Sequence, residues 1–281
     1  MKPPTFKNGG FTPPLLGFAA APLRHFALAQ TIGRVRNGSM KLPFRVLLVA
    51  FCVAAAATSR ADNWTDSYNR LLAKYVTSGG VKYAEWKANA ADMQALQGVV
   101  DGIAKENVSA LGKQQQLAFY LNAYNAWILH EALGKYPTKS VKDALFTFFT
   151  GRRITVAGQQ TSFNALEKET IRSKFGEPRV HFALNCASRS CPPLNREAFS
   201  ADKLDGQFEK LAKGYVNSDK GVRYSASTKT AELSKIFDWY KDDFKADGGP
   251  VAFINKRRSS PLPADAKITY QDYDWGLNEV K

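Results

Sequence analysis

LAFYLNAYNAWILHEAL, residues 117–133, is apolar on every side of the helix that its spacing predicts, and such a helix belongs in the middle of a fold. The predicted helix runs from Gln114 to Leu133. Asn122 and Asn125 lie on it three residues apart, so they occupy neighbouring positions of one face. A buried amide without partners costs about 1 to 3 kcal/mol. We therefore expect both side chains to be buried and hydrogen-bonded to other segments, and both are candidate ligand-binding residues.

Shorter elements are predicted around this helix. Apolar spacing indicates amphipathic helices from Trp64 to Tyr75 and from about Ala201 to Val216. Asn164 with Glu167 three residues later is a capping signal for another helix. Short strands are predicted at 153–156, 160–162, 222–224, 230–233 and 267–270. The sequence thus predicts one α+β domain over residues 62–281, mostly helical, with a central apolar helix and a small antiparallel sheet.

The N-terminal stretch MKLPFRVLLVAFCVAAAATSRAD, which begins at Met40, is built like a secretory signal peptide. Two basic residues open it, twelve apolar residues follow at 46–57, and Ser59-Arg60-Ala61 supplies small residues for cleavage. Twelve residues reach about 18 Å as a helix. A spanning helix must cross roughly 30 Å of hydrocarbon. We expect cleavage near Ala61 and a periplasmic or secreted mature chain without a membrane span, with a retained anchor as the alternative.

Residues 1–39 precede this signal, and they carry Pro and Gly clusters without a periodic apolar face. We infer that Met40 is the true start and that residues 1–39 are not native. A disordered basic extension is the alternative. The predicted organisation is therefore an extension over 1–39, a signal peptide over 40–61 and a domain over 62–281.

The positive charge of the chain is concentrated in this leader. The formal net charge is +14, but all 25 acidic residues lie at or after Asp62, and eight of the 39 Lys and Arg residues lie before it. A protein that binds nucleic acid usually keeps its basic stripe on the folded body. The sequence therefore argues against nucleic acid as the main partner, and the 44% hydrophobic content excludes a disordered or collagen-like chain.

The segment HFALNCASRSCPPL, residues 181–194, holds the densest set of reactive side chains. Residues 179–185 alternate as in a strand, and the Ser, Arg and double-Pro sequence beyond them predicts a loop. On a straight strand His181 and Asn185 lie about 13 Å apart. That separation is too long for a hydrogen bond. A catalytic pair would therefore need a bend in the chain or a partner such as His130.

Cys186 and Cys191 are the only cysteines after the leader, and a disulfide between them is the first expectation for an exported protein. Such a bridge would present three candidate ligand-binding residues beside His181: Ser188, Arg189 and Ser190.

Four stretches resemble the family called domain of unknown function 547 (DUF547). They are FYLNAYNAWILH (119–130), RVHFALNCASRSCPPL (179–194), LSKIFDWYKDDF (233–244) and YDWGLN (273–278). The family's recurring positions fall on Asn122, Tyr124, Asn125, His181, Cys186, Ser190, Cys191, Pro192, Pro193, Trp239, Phe244, Asp274, Trp275 and Asn278. The resemblance implies membership of the family and no particular reaction.

Three functions compete on these residues. In the first, the bridged loop belongs to a module that binds a small-molecule or cell-envelope ligand. In the second, Cys186 is the nucleophile of a thiol-dependent hydrolase or transferase, His181 or His130 is the base, and Asn185 orients the base or holds an oxyanion. In the third, the two cysteines cycle between redox states, although CASRSC is wider than the Cys-x-x-Cys of thioredoxin-like proteins.

No metal or cofactor is expected. A zinc site at His130, His181, Cys186 and Cys191 lacks a standard ligand spacing. The sequence also has no phosphate-binding glycine loop and no Gly-x-Ser-x-Gly elbow.

Overall fold

A long apolar helix, α4 (Lys113–Lys135), lies at the centre of the fold, as the sequence predicts. The computed structural model describes residues 63–141, 149, 151 and 154–280. Fifteen of the 23 residues of α4 are buried, so other elements must pack on every side of it. Asn122 and Asn125 are only 3% and 1% exposed, which confirms the expected burial of both amides.

Three helices precede α4: α1 (Trp64–Tyr75), α2 (Tyr83–Ala88) and α3 (Ala90–Lys105). A 3-10 helix, Val108–Ala110, then leads into α4. Asparagine side chains cap α1 and α3, because Asn63 accepts the N–H of Thr65 and Asn89 accepts the N–H of Asp92. The apolar faces of these helices join α4 in the larger hydrophobic cluster. The prediction of a helix from Trp64 to Tyr75 is confirmed.

The predicted hairpin is present as β1 (Ile154–Val156) paired antiparallel with β2 (Gln159–Thr161). A continuous helical run follows, made of α5 (Phe163–Ala165), a π-helix (Leu166–Arg172) and α6 (Ser173–Phe175). Its N-cap is Ser162, whose Oγ accepts the N–H of Ala165 at 3.2 Å, so the prediction of a cap at Asn164 is wrong. Arg153 and the leader predicted over residues 1–61 lie outside the described residues.

Residues 179–185 do not form the predicted strand. Val180–Ala183 is a short helix, α7, and the chain becomes extended at Leu184. Two side chains explain this turn of helix. The carboxylate of Glu177 accepts the N–H of Arg179 at 3.0 Å, and Asn125 donates to the carbonyl of Ala183 at 2.9 Å.

The C-terminal part combines helices with a small sheet. Its elements are α8 (Leu204–Val216), β3 (Val222–Ser225), β4 (Thr230–Leu233), α9 (Lys235–Trp239), a 3-10 helix (Lys241–Asp247), α10 (Pro250–Asn255) and β5 (Lys267–Tyr270). Strand β4 pairs antiparallel with β3 and parallel with β5. The sheet is therefore mixed, whereas the sequence predicts a purely antiparallel one. The α+β class and the predominance of helix are as predicted.

The last described residues, 273–280, form an extended stretch that we call the C-terminal segment. It pairs with the turn between α1 and α2, where Val81 donates to Asn278 at 2.9 Å and Val280 donates to Val81 at 3.0 Å. On its other side it contacts the residues that follow α7. None of the helices in the described residues is both long and apolar enough to cross a membrane.

Candidate functional site

The cysteine loop, residues 185–194, is held in shape by the side chain of Asn185. Its Oδ1 accepts the N–H of Ala187 at 2.8 Å, and its Nδ2 donates to the carbonyl of Pro192 at 2.7 Å. Its backbone N–H donates to Oδ1 of Asn125 on α4 at 2.9 Å. Asn185 is 2% exposed, and these bonds join the two ends of the loop to the central helix.

The C-terminal segment fixes the middle of the cysteine loop. Arg189 donates to the carbonyl of Gly276 at 2.8 Å, and Asn278 donates to the carbonyl of Ala187 at 2.9 Å. Ser190 Oγ accepts the N–H of Asp274 at 2.8 Å. Because residues nearly ninety positions away in sequence hold the loop, its conformation depends on the tertiary fold.

The sulfur of Cys186 lies at one corner of a triangle with two hydroxyls. Its Sγ is 3.0 Å from Ser188 Oγ and 3.3 Å from the hydroxyl of Tyr273, and the two hydroxyl oxygens are 3.1 Å apart. The backbone N–H of Cys186 donates to the sulfur of Cys191 at 2.9 Å. The thiol of Cys191 also hydrogen-bonds the Cys186 sulfur. Both cysteines are free thiols, Cys186 partly exposed and Cys191 buried.

These contacts make the two thiols unequal. Burial disfavours the Cys186 thiolate, but hydrogen bonds from Cys191, Ser188 and Tyr273 outweigh burial and lower the pKa of Cys186 to about 7. Burial and the neighbouring Cys186 raise the pKa of the Cys191 thiol well above its usual value. Near neutral pH Cys191 therefore keeps its proton, and a substantial fraction of Cys186 is ionised.

His181 belongs to a neighbouring cluster on α7 and the 3-10 helix. Its Nε2 is 2.7 Å from Oδ2 of Asp243, and its ring stacks on Tyr240 with a centroid separation of 3.9 Å. Arg172 of the π-helix donates twice to the same carboxylate, at 2.7 and 2.8 Å. Burial works against ionisation of Asp243, but the hydrogen bonds from His181 and Arg172 hold the pKa of its carboxyl well below the usual range.

Two tyrosines link this cluster electrostatically to the thiol. Burial raises the pKa of Tyr124 and of Tyr240 well above the usual value, and the charges of Glu167 and Cys186 both contribute. Glu167, on the π-helix, is 9% exposed, and within the described residues its Oε1 is a buried side-chain oxygen without a hydrogen-bond partner. π-Helices often occur at functional sites.

The other predicted site residues are placed as follows. Asn122 bonds the backbone of Phe199 in both directions, at 2.9 and 2.8 Å, so its amide, like that of Asn125, joins segments of the chain. His130 contacts Gln97 on α3 at 2.9 Å and its neighbour Glu131 at 3.3 Å. Neither His130 nor His181 is among the described hydrogen-bond partners of the Cys186 sulfur.

The three polar residues between the cysteines have different environments. Ser188 is buried and faces the Cys186 sulfur. Arg189 is exposed, with its guanidinium 3.6 Å from the carboxylate of Asp274. Ser190 accepts from the C-terminal segment, and its carbonyl accepts the hydroxyl of Tyr215 at 3.0 Å. Only Ser188 therefore contacts the reactive thiol.

The described residues contain no group of three or more His, Cys, Asp or Glu side chains that could hold a metal ion. The Cys186 sulfur has the hydroxyls of Ser188 and Tyr273 beside it.

Sequence reasoning missed several residues of the site. Tyr273 supplies a hydroxyl to the thiol from 87 positions away, and Asp243 bonds His181 across 62 positions. No local spacing connects such residues. The signal available in the sequence was the aromatic-rich stretches WYKDDF (239–244) and DYDWGLN (272–278), which contain Asp243 and Tyr273. Both stretches match recurring positions of the family.

Comparison with known proteins identifies one family. Residues 108–216 match the family described as "Protein of unknown function, DUF547". The match includes α4, α7, the cysteine loop and α8, but it ends before Asp243 and Tyr273. The chain matches no curated protein and no solved structure.

Proposed function

Since the chain is a DUF547 protein through residues 108–216 and that family description names no reaction, we propose a function from the site itself. The protein is an exported thiol-dependent transferase or hydrolase whose nucleophile is Cys186. One observation carries this proposal: Cys186 is a partly exposed residue with a free thiol, and three hydrogen-bonding side chains around its sulfur lower its pKa to about 7.

The chemistry of the proposal is a two-step covalent transfer. The Cys186 thiolate forms a bond to an electrophilic atom of the substrate, and the leaving group departs with the electron pair of the broken bond. Water or a second substrate then takes the group from sulfur and restores the thiolate. Because the thiolate exists before the substrate arrives, the first step needs no contact between Cys186 and an imidazole.

The two hydroxyls beside the Cys186 sulfur stabilise its charge during these steps. Ser188 and Tyr273 can each donate to the sulfur while it is charged and rotate their hydroxyls when it becomes bonded. His181, held by Asp243, is the nearest imidazole in sequence and remains the candidate acid or base for the leaving or entering group. Asn185 acts on loop shape, since its amide is bonded to backbone at both ends of the loop.

A bridged loop that binds a ligand is the second candidate. It is favoured by the 2.9 Å hydrogen bond from the Cys186 N–H to the Cys191 sulfur, which brings the two residues into direct contact. In that case oxidation would remove the nucleophile, and the exposed Arg189 would be the ligand contact of the loop.

Selective alkylation separates the two candidates. Reduced, folded protein is treated at pH 7 with less than one equivalent of iodoacetamide, and the labelled cysteine is identified by mass mapping. We expect the label on Cys186, because Cys191 is 6% exposed and holds its proton. Cys191→Ser should still be labelled at residue 186, and Cys186→Ser should leave residue 191 unlabelled until urea is added.

The contrary results are equally clear. Equal labelling of both cysteines in the folded protein would mean that the contacts around Cys186 do not activate it. A bridge that re-forms at once after the reductant is removed, with no thiol available to the reagent, would favour the ligand-binding module.

A further inference from the structure

The two sulfurs of the cysteine loop are placed for chemistry with each other as well as with a substrate. We infer that the Cys186–Cys191 pair is a thiol–disulfide exchange site that takes a disulfide bond as its substrate. The inference rests on the proposed function, because it requires a nucleophilic Cys186, and it adds the substrate class and a role for Cys191.

The exposures of the two cysteines determine which one reacts first with the substrate disulfide. Cys186 is partly exposed, whereas Cys191 is buried, so Cys186 is the residue of the pair that meets an incoming disulfide. Cys191 is 6% exposed and lies behind it, bonded to the Cys186 N–H and thiol. An external disulfide therefore meets Cys186 first, and Cys191 can reach only a bond that Cys186 has already formed.

The electron balance of the exchange closes with the two thiols alone. The Cys186 thiolate attacks one sulfur of the substrate disulfide, forms a mixed disulfide and expels the other substrate sulfur as a thiolate. Cys191 then loses its proton to that thiolate or to water and attacks the Cys186 sulfur. The second substrate thiolate leaves, the protein holds a Cys186–Cys191 bridge, and the substrate has gained two electrons. A dithiol that reduces the bridge returns the protein to its starting state.

The surrounding hydrogen bonds favour a cysteine loop that has the same shape with two free thiols and with a disulfide. The C-terminal segment holds Ala187, Arg189 and Ser190 through backbone bonds of 2.9, 2.8 and 3.2 Å. Asn185 fixes the ends of the loop through its bonds to Ala187 and Pro192. None of these bonds uses a sulfur atom, so they survive oxidation of the thiols. The loop can therefore hold the sulfurs together whether or not they are bonded.

Tyr273 and Ser188 complete the exchange site. Their hydroxyls lie 3.3 and 3.0 Å from the Cys186 sulfur and stabilise it both as an attacking and as a departing thiolate. Tyr273 also packs against two partly buried indole rings, Trp239 and Trp275, with centroid separations of 4.8 and 4.6 Å. These rings give the rim of the site an apolar surface beside the thiol.

The test uses oxidised glutathione as the probe and the reduced, folded mature protein that begins near Asp62, which has no cysteine besides Cys186 and Cys191. Wild type, Cys191→Ser and Cys186→Ser are treated in parallel, quenched with acid and mapped by mass at residues 186 and 191. We expect wild type to end with an internal bridge and no glutathione. Cys191→Ser should keep glutathione on residue 186, and Cys186→Ser should stay unmodified at residue 191.

The outcomes separate this inference from the proposal beneath it. If wild type keeps glutathione on Cys186 to the same extent as Cys191→Ser, Cys191 does not resolve the mixed disulfide and the inference fails while the nucleophile stands. If Cys186 reacts with neither glutathione disulfide nor iodoacetamide in the folded protein, the proposed function fails as well. Circular dichroism of both variants provides the control for folding.

Discussion

Replacing Asn125 with leucine should destabilise the protein by about 2 to 6 kcal/mol. The side chain is 1% exposed, donates to the carbonyl of Ala183 at 2.9 Å and accepts the N–H of Asn185 at 2.9 Å. Leucine fills a similar volume but leaves both backbone groups unpaired in a dry environment, and each costs about 1 to 3 kcal/mol. The loss is a large share of the roughly 5 to 15 kcal/mol that stabilises a typical domain.

Urea unfolding measures this loss through the midpoint and slope of the transition. The matched control is Asn217→Leu, because Asn217 also bonds backbone groups, at 2.7 and 2.9 Å, but is exposed to solvent. Water can replace its bonds, so we expect a loss of about 1 kcal/mol or less. A change below about 0.5 kcal/mol for Asn125→Leu, or equal losses for the two variants, would refute the role given to the central helix.

Three further predictions concern the thiol, a close backbone contact and the leader. Tyr273→Phe removes one hydrogen-bond donor from the Cys186 sulfur, so the pKa of Cys186 should rise. Alkylation of Cys186 should then slow severalfold below pH 7 and stay unchanged at high pH. An unchanged pH profile of alkylation would show that Tyr273 does not stabilise the thiolate. Gly80→Ala should cost about 1 to 3 kcal/mol in thermal unfolding, because a Cβ there would overlap the carbonyl of Asn278. Gly98→Ala, with no neighbouring atom within 4 Å, should instead be neutral or slightly stabilising. N-terminal sequencing of the extracytoplasmic protein should begin near Asp62, and recovery of an intact chain from the cytoplasm would contradict export.

The central helix could be predicted from sequence because its pattern is long. A helix of seventeen residues without a polar face must be buried on all sides, and the burial of Asn122 and Asn125 follows from that position. The segment 179–185 was too short for the same argument, since alternation over seven residues fits a strand as well as a turn of helix. Its structure is decided by Glu177 and Asn125, which bond its two ends.

Some residues of the site could likewise be predicted from the sequence, and others could not. Cys186 and Cys191 stand out in the sequence because they are the only cysteines after the leader. The pKa of the Cys186 thiol depends in part on Tyr273, and the position of His181 depends on Asp243, which Arg172 also holds. These partners come from separate elements, so their effect on the thiol and the imidazole arises only in the folded chain.

The proposed reactivity depends most on the charge of Cys186, and titration of the thiolate absorbance in the reduced, folded protein tests that charge directly. The difference between wild type and Cys186→Ser isolates the signal of this residue from the other cysteines and from the tyrosines. We predict a transition centred near pH 7, because hydrogen bonds from Cys191, Ser188 and Tyr273 stabilise the thiolate. A transition at or above the ordinary value of about 8.5 would contradict the assignment of Cys186 as the nucleophile.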